Sequence, residues 1–477
     1  MKTTRLLSAV GVVLCLALLS ACGDGTQTPR WPERPAGQTD VLELRCDPIP
    51  VVRVGFIGLG MRGKGAVNRF MAIEGVEIKA LCDLEDYNIE ETLGNVLAQS
   101  RPAPAEYLGE DAWKKLCERE DIDLVYICTD WLTHTPMAVY AMEQGKHVAI
   151  EVPAATTLDE CWQLVNTAER TRRHCIMLEN CCYDKFEMAT LNMAQQGVFG
   201  EIVHVEGAYI HDLRSLQFND RLSQKERYTQ GTGGEMMAQR PGLAGYWNFW
   251  RKNYNAGHTG NPYPTHGLGP VCQILNIHRG DRMKYLVSVS SGQFGMTEYA
   301  AERFGGDSPE AQRKYELGDM NTTVIRTEKG KTMMIQHDVT SPRPYSRIHM
   351  VSGTKGFAQK WPATQIALEP DAHRALPRAQ MDSVLKVYEH PFYKEAGETA
   401  RRLGAIAHGG MDFIMDYRLV YCLQRGLPLD MDVYDAAEWS CLVPLTEESA
   451  RNGGKPVEIP DFTRGAWDKV KGLRFAQ

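Results

Sequence analysis

Three glycines in Gly58-Leu59-Gly60-Met61-Arg62-Gly63 stand at the spacing that lets a main chain wrap a pyrophosphate. Gly58 permits a tight turn, Gly60 lets the backbone approach a phosphate, and Gly63 lets the next helix pack closely on the preceding strand. That helix would offer free N–H groups and the positive end of its dipole to the phosphates. Asp83 follows 20 residues after Gly63, at an expected strand end. Its carboxylate would accept from ribose hydroxyls and repel a 2′-phosphate, so NAD is favoured over NADP, with the nearby Arg62 working against that preference. The chemistry such a cofactor brings is hydride transfer. The competing reading is a glycine-rich turn that binds no dinucleotide.

Further candidates stand at later strand ends, where residues line a cofactor crevice. Trp131 and His134 follow the run from Asp123 to Cys128, and Glu151 follows His147 to Ile150. All three are expected to touch the nicotinamide half. For His134 alone, a helix-capping or core role fits as well. The glycine-rich segment from Gly242 to Pro270 holds Trp247, Trp250, Arg251, Tyr254, Tyr263 and His266. Aromatic faces with an arginine suit a sugar, whose C–H faces stack while its hydroxyls hydrogen-bond. A long structural loop with core tryptophans is the alternative.

The elements that position these groups alternate. Val51 to Ile57 reads as a buried parallel strand, and Ala66, Val67, Phe70 and Met71 as one face of a helix. Val76 to Cys82 is the next strand. Pro136 to Gln144 is an expected helix, and Thr157 with Glu160 forms a capping box that opens another, to about Arg172. Ile176 to Leu178 delivers Glu179-Asn180-Cys181-Cys182-Tyr183 to the same edge, with the two cysteines as packing residues. From about residue 200 the period changes to two. Gly200 to His211, Tyr285 to Phe294, Thr322 to Arg326, Thr332 to His337 and Ser346 to Val351 alternate, and Glu328-Lys329-Gly330 is a hairpin turn. The fold class expected is α/β: an N-terminal Rossmann dinucleotide-binding domain, then an α+β domain with a mostly antiparallel, open-faced sheet. Its expected limits are a tether over 22–49, a Rossmann domain over 50–182, a substrate domain over 183–462 and a tail over 463–477. Residues 409–425 read as an amphipathic helix, and 452–477 as surface chain.

Composition narrows the partners. The chain has 477 residues, with 53 Lys and Arg against 60 Asp and Glu, and a net charge of −7. That disfavours a nucleic-acid surface. Thirteen cysteines are too sparse for a disulfide scaffold, and no spacing suggests a metal site. Residues 1–21 read as an export signal: Lys2 and Arg5, then a short apolar run from Leu6 to Leu19. Leu19-Ser20-Ala21-Cys22 resembles a bacterial lipobox, which makes Cys22 the expected lipidation site. An ordinary signal peptide cut near Ala21 is the alternative. The expected location is therefore outside the cytosol, on a bacterial membrane through a lipid anchor, on either the periplasmic or the cell-surface face. No other segment is apolar enough to span.

The layout resembles the glucose–fructose oxidoreductase and inositol dehydrogenase superfamily, which usually carries Glu-Lys-Pro where this chain has Glu151-Val152-Pro153. It is closer to one branch, the NAD-dependent glycosidases of glycoside hydrolase family 109. The stretches that carry this are the glycine turn, Cys82-Asp83, Glu151-Val152-Pro153, Glu179 to Tyr183, Tyr246-Trp247-Asn248-Phe249-Trp250-Arg251, Tyr263-Pro264-Thr265-His266-Gly267-Leu268-Gly269-Pro270 and Pro344-Tyr345-Ser346-Arg347. The resemblance implies an α-N-acetylgalactosaminidase acting on N-acetylgalactosamine-containing glycans. Its NAD would stay tightly bound and be regenerated through oxidation, elimination, hydration and reduction. It implies NAD contacts from Met61, Arg62, Asp83, Trp131, Leu132, Thr133, His134, Glu151, Val152 and Asn180. Substrate contacts are implied for Tyr209, Arg251, Tyr263, Pro264, Thr265, His266 and Tyr345. Tyr183 is implied as the base at sugar C2, and His266 as the group at the C3 hydroxyl; the two roles are interchangeable at this level, and Tyr183 could instead bridge the two domains. A net sugar dehydrogenase, disfavoured by Val152, and a non-catalytic glycan-binding lipoprotein are the competing readings. A homo-oligomer is left open.

Overall fold

The computed structural model describes residues 31–218, 245–403 and 407–475. A first sheet comprises β1 (Val52–Ile57), β2 (Val76–Asp83), β3 (Ala105–Leu108), β4 (Leu124–Ile127), β5 (His147–Ile150) and β6 (Cys175–Met177). Their order is β3-β2-β1-β4-β5-β6, and every pairing is parallel. This is a doubly wound sheet whose order reverses at β1, and the glycine turn lies at that switch. Strands β1 and β4 are apolar because helices cover both faces. Phe56, Phe70 and Tyr126 pack ring against ring beneath the turn, with centroids 5.2–5.4 Å apart.

The second sheet adds β7 (Ile202–Ile210), β8 (Met283–Ser290), β9 (Asn321–Thr327), β10 (Thr332–Asp338), β11 (Met350–Gly353), β12 (Gly356–Gln359), β13 (Gln365–Leu368) and β14 (Val457–Glu458). Its order is β13-β12-β11-β7-β10-β9-β8-β14. All pairs are antiparallel except β7 with β10, which pairs Tyr209 with His337 in register. The expected fold class holds. The chain from Gly37 onward forms one compact unit.

Several expectations shift. Helix Trp131–Glu143 begins five residues before Pro136, because the Asp130 side chain accepts from the Leu132 N–H and starts the turn there. The expected strand from Ser346 narrows to Met350–Gly353, since Ile348 and His349 are left-handed and break the pleat. Residues 452–477 are not plain surface chain. β14 adds an edge strand, and Phe462 and Leu473 are buried, the former against Trp162. The Thr157–Glu160 capping box is present. The eleven described cysteines are free thiols, nine of them buried. No described helix is long and apolar enough to cross a membrane. Residues 1–21 and Cys22 lie outside the described residues.

Candidate active site

The glycine turn and the C-terminal ends of the central strands open onto a cleft of about 380 Å³. Met61, Arg62, Asp83, Leu132 and Thr133 line one side; Tyr246, Trp247 and Trp250 line the other. Gly58 has φ +85°, and a Cβ there would lie 2.6 Å from the Cys128 carbonyl oxygen. A Cβ on Gly63 would lie 1.9 Å from the Gly58 oxygen, so both positions exclude a side chain. The Asp83 carboxylate accepts from the Leu59 N–H at 2.6 Å, the Glu85 N–H at 2.9 Å and the Asn88 amide at 3.0 Å. It is thereby fixed beside the turn, at the cleft. A glycine cradle, a helix N-terminus and a fixed carboxylate are the parts a dinucleotide needs, so the residues fit NAD.

Arg62 is the cation of this cleft. It donates through Nε to Glu151 at 2.8 Å and through its two Nη groups to Asp412 at 3.2 Å each. Asn180 donates its amide to the same Asp412. Arg62, Glu151 and Asn180 are thus joined, by a residue that sequence reasoning missed. Val152 is buried beside them.

His134 does not reach the cleft. Its Nδ1 lies 2.8 Å from the Pro153 carbonyl and its Nε2 3.1 Å from that of Thr129, so it braces two loops from a fully buried position. That geometry matches the core role that the sequence also allowed for His134. Trp131 turns toward the second half, packing on Trp250, Tyr254 and Tyr263 with centroids 5.0–5.7 Å apart.

Around Trp131 the expected substrate residues converge. The Arg251 guanidinium lies 4.6 Å from the Tyr263 ring, 4.9 Å from Trp131 and 5.9 Å from Tyr209. It is buried, donates to the Tyr246 hydroxyl at 2.7 Å, and has no partner for Nε or Nη2 among the described residues. Tyr209 packs on Tyr263 and His266. Helix Thr265–Leu275 carries His266 and is seated by glycine contact: a Cβ on Gly207 of β7 would lie 2.0 Å from the Gly267 oxygen. Pro264 precedes that helix, and Thr265 is buried with its hydroxyl unpartnered.

His266 is oriented from behind. Its Nδ1 lies 2.8 and 2.9 Å from the two oxygens of Glu179, and its Nε2 lies 3.4 Å from the Tyr263 hydroxyl. Glu179 is fully buried and also accepts from the Cys181 N–H. Burial alone would push its carboxyl up; His266 and the Cys181 N–H outweigh that and hold it below the usual range. A carboxylate at a strand end beside two sequence candidates was the available signal for Glu179. Glu179, Cys181 and His266 bring ligand-type atoms within 4.8 Å of one another. The Arg347 guanidinium donates to the Cys181 sulfur at 3.2 Å.

Tyr183 is elsewhere. Its hydroxyl donates to Asp430 at 3.3 Å, and Arg418 clamps that carboxylate at 2.7 and 2.8 Å. Burial first, and Asp430 next, push the phenol well above its ordinary value. Tyr183 is thus buried with its hydroxyl on Asp430, which matches the bridging role that the sequence also allowed. Tyr345 is partly exposed, packs on His211 and accepts from Arg347 at 3.3 Å.

Comparison with known proteins agrees with this architecture. Residues 52–179 match the family described as oxidoreductase family, NAD-binding Rossmann fold, and residues 183–469 match glycosyl hydrolase 109, C-terminal domain. An alpha-N-acetylgalactosaminidase of Bacteroides fragilis is 61% identical over 91% of this chain and 96% of its own. A glycosyl hydrolase family 109 protein of Phocaeicola vulgatus is 56% identical over 90% of this chain and 98% of its own. Among solved structures, a levoglucosan dehydrogenase in complex with NADH and L-sorbose shares the fold with a TM-score of 0.59 at 17% identity, covering 86% of this chain and all of its own. The myo-inositol dehydrogenase of Lactobacillus casei does so with a TM-score of 0.55 at 16% identity, covering 87% and 99%. A dinucleotide cleft joined to this C-terminal half, with the identity to those relatives, makes the chain a member of glycosyl hydrolase family 109.

Proposed function

We propose that the protein hydrolyses terminal N-acetylgalactosaminides by a cycle with no net redox change. The observation that carries this is the Glu179–His266–Tyr263 chain inside an aromatic pocket, next to the dinucleotide cleft. An ordinary glycosidase sets two carboxyl groups across the scissile bond, and NAD-dependent ones depart from that rule. Here Glu151 is held by Arg62 and Glu179 by His266, so neither is free to play that part. Bound NAD supplies a reversible hydride acceptor for sugar C3, and the carbonyl so formed acidifies the proton at C2. His266 handles the C3 hydroxyl proton through Nε2 while Nδ1 donates to Glu179. Tyr263 is the phenol beside it, and the pair serves the proton lost from C2 as the C1 substituent departs. Arg251 offers two unpartnered donors to substrate oxygens, and Trp131 and Tyr209 give apolar faces to the ring. Water would then add at C1 and a proton at C2, and return of the hydride to C3 would leave the cofactor as it began, bound between turnovers. Outside the cytosol, where the export signal sends the chain, Cys22 anchors it by lipid.

An aryl N-acetylgalactosaminide should release its phenol without accumulation of NADH; stoichiometric NADH would favour the sugar dehydrogenase. Substrate deuterated at C2 should lose its label to solvent, and full retention would sink the elimination. Cys22→Ala should move the protein from the membrane fraction to the soluble one; unchanged fractionation removes the anchor.

A further inference from the structure

Among the buried groups that the mechanism does not use, Asp412 is the one that reaches the cofactor cleft through Arg62. Asp412, on helix Met411–Arg425, has a side chain only 2% exposed and yet takes four partners. Both Nη groups of Arg62 donate to it, as does the Asn180 amide; His408 Nδ1 lies 2.7 Å from its Oδ2, and Arg69 is 3.8 Å away. Arg62 and Asn180 come from the glycine turn and from the end of the first sheet. Asp412 lies 350 residues beyond Arg62. The backbone before it is unusual: His408 is left-handed at φ +51°, followed by Gly409 and Gly410 at +69° and +89°, which glycine adopts freely. A histidine in the left-handed region persists only where its surroundings over-determine it, and such outliers cluster at working sites. Here the turn folds His408 back over its own helix onto Asp412, and leaves it 58% exposed at the outer end of the network.

We propose that Asp412 is a positioning residue for the dinucleotide cleft, acting through Arg62 and Asn180, with His408 fixing its second oxygen. The inference rests on the reading that the cleft holds NAD. Arg62 is the member that opens onto the cleft. Its guanidinium is a rigid fork, so its use depends on what holds the other edge. Glu151 holds Nε, and Asp412 holds both Nη groups. A carboxylate from the far half of the chain therefore sets the cation of the cofactor site, and ties cofactor affinity to the seating of this helix.

The test is dinucleotide content and NAD affinity, measured on the full-length protein beside thermal unfolding of the stripped form. Asp412→Asn should lower the co-purifying dinucleotide and weaken NAD at least tenfold. Arg62→Lys should weaken it too, and the double variant should be within twofold of Arg62→Lys alone, because both remove one interaction. Asp412→Glu keeps the charge between Arg62 and Arg69, so folding is retained while the carboxylate is misplaced; it should weaken NAD at least threefold. Asp412→Asn, or Asp412→Glu where Asn does not fold, with NAD affinity within twofold of wild type would overturn the proposal. So would effects of Asp412→Asn and Arg62→Lys that multiply. Wild-type protein that binds no dinucleotide would overturn the cofactor reading instead.

Discussion

Replacing Glu179 by Gln is the sharpest perturbation of the active site, because it changes charge with almost no change of shape. Glu179 is fully buried, so water cannot substitute for it, and both oxygens lie within 2.9 Å of His266 Nδ1. When His266 takes a proton from the sugar, it becomes a cation whose centre lies about 4 Å from the carboxylate. At an effective dielectric of about 20 that attraction is about 4 kcal/mol. The glutamine oxygen still accepts from Nδ1 and returns about 1 kcal/mol. The net loss of about 3 kcal/mol predicts a fall in kcat/KM of about two hundredfold. Bound dinucleotide should be unchanged, since the Glu179 carboxylate bonds to the Cys181 N–H and to His266 rather than to Arg62, Asp83 or the glycine turn. The assay is phenol release from an aryl N-acetylgalactosaminide across pH 5–9 or so, beside absorbance of the denatured protein for cofactor. A Gln variant with kcat/KM within threefold of wild type would refute the coupling of Glu179 to the reacting proton.

Three further outcomes follow from burial and contact. Tyr183→Phe should keep kcat/KM within about threefold and cost about 1 kcal/mol of stability, the worth of one hydrogen bond; a hundredfold loss of turnover would restore Tyr183 to catalysis. Gly207→Ala drives a methyl into the Gly267 backbone, where neither side is a flexible side chain, and should cost about 3 kcal/mol in thermal unfolding; an unchanged Tm would mean that the helix carrying His266 is not seated there. Asp416 is buried between Arg69 and Tyr126, and burial pushes it from 3.8 to about 6. The folded state therefore binds its proton more tightly than the unfolded chain, and wild type loses stability relative to Asp416→Asn as pH rises from about 4 to 6, by about 3 kcal/mol at most. A stability difference that is flat over that range would show that the carboxyl is not raised.

The parts legible in the sequence are those set by local backbone geometry. The glycine turn could be read because the left-handed φ of Gly58 and the close approach at Gly63 exclude other residues whatever surrounds them. Asp83 could be placed because a strand of known length ends beside that turn. The Thr157 capping box and the alternation of β7, β9 and β10 were visible for the same reason: each depends on neighbours within a few residues. β3 was missed because an edge strand of four half-exposed residues carries no apolar run. The parallel pairing of β7 with β10 was missed as well, since a register across 128 residues leaves no local mark.

The active site was decided by tertiary packing. The family resemblance implied Tyr183 and His266 as a pair, and the sequence had no means of orienting either. The fold turned Tyr183 toward Asp430, 247 residues away, and put Glu179 behind His266, 87 residues away. His134 spent both ring nitrogens on main-chain carbonyls. A buried polar group must find a partner wherever packing supplies one, and that partner sets what the group can do. The sequence determined which backbone could cradle a phosphate; tertiary structure determined which of the nearby acids, histidines and phenols remained available for chemistry.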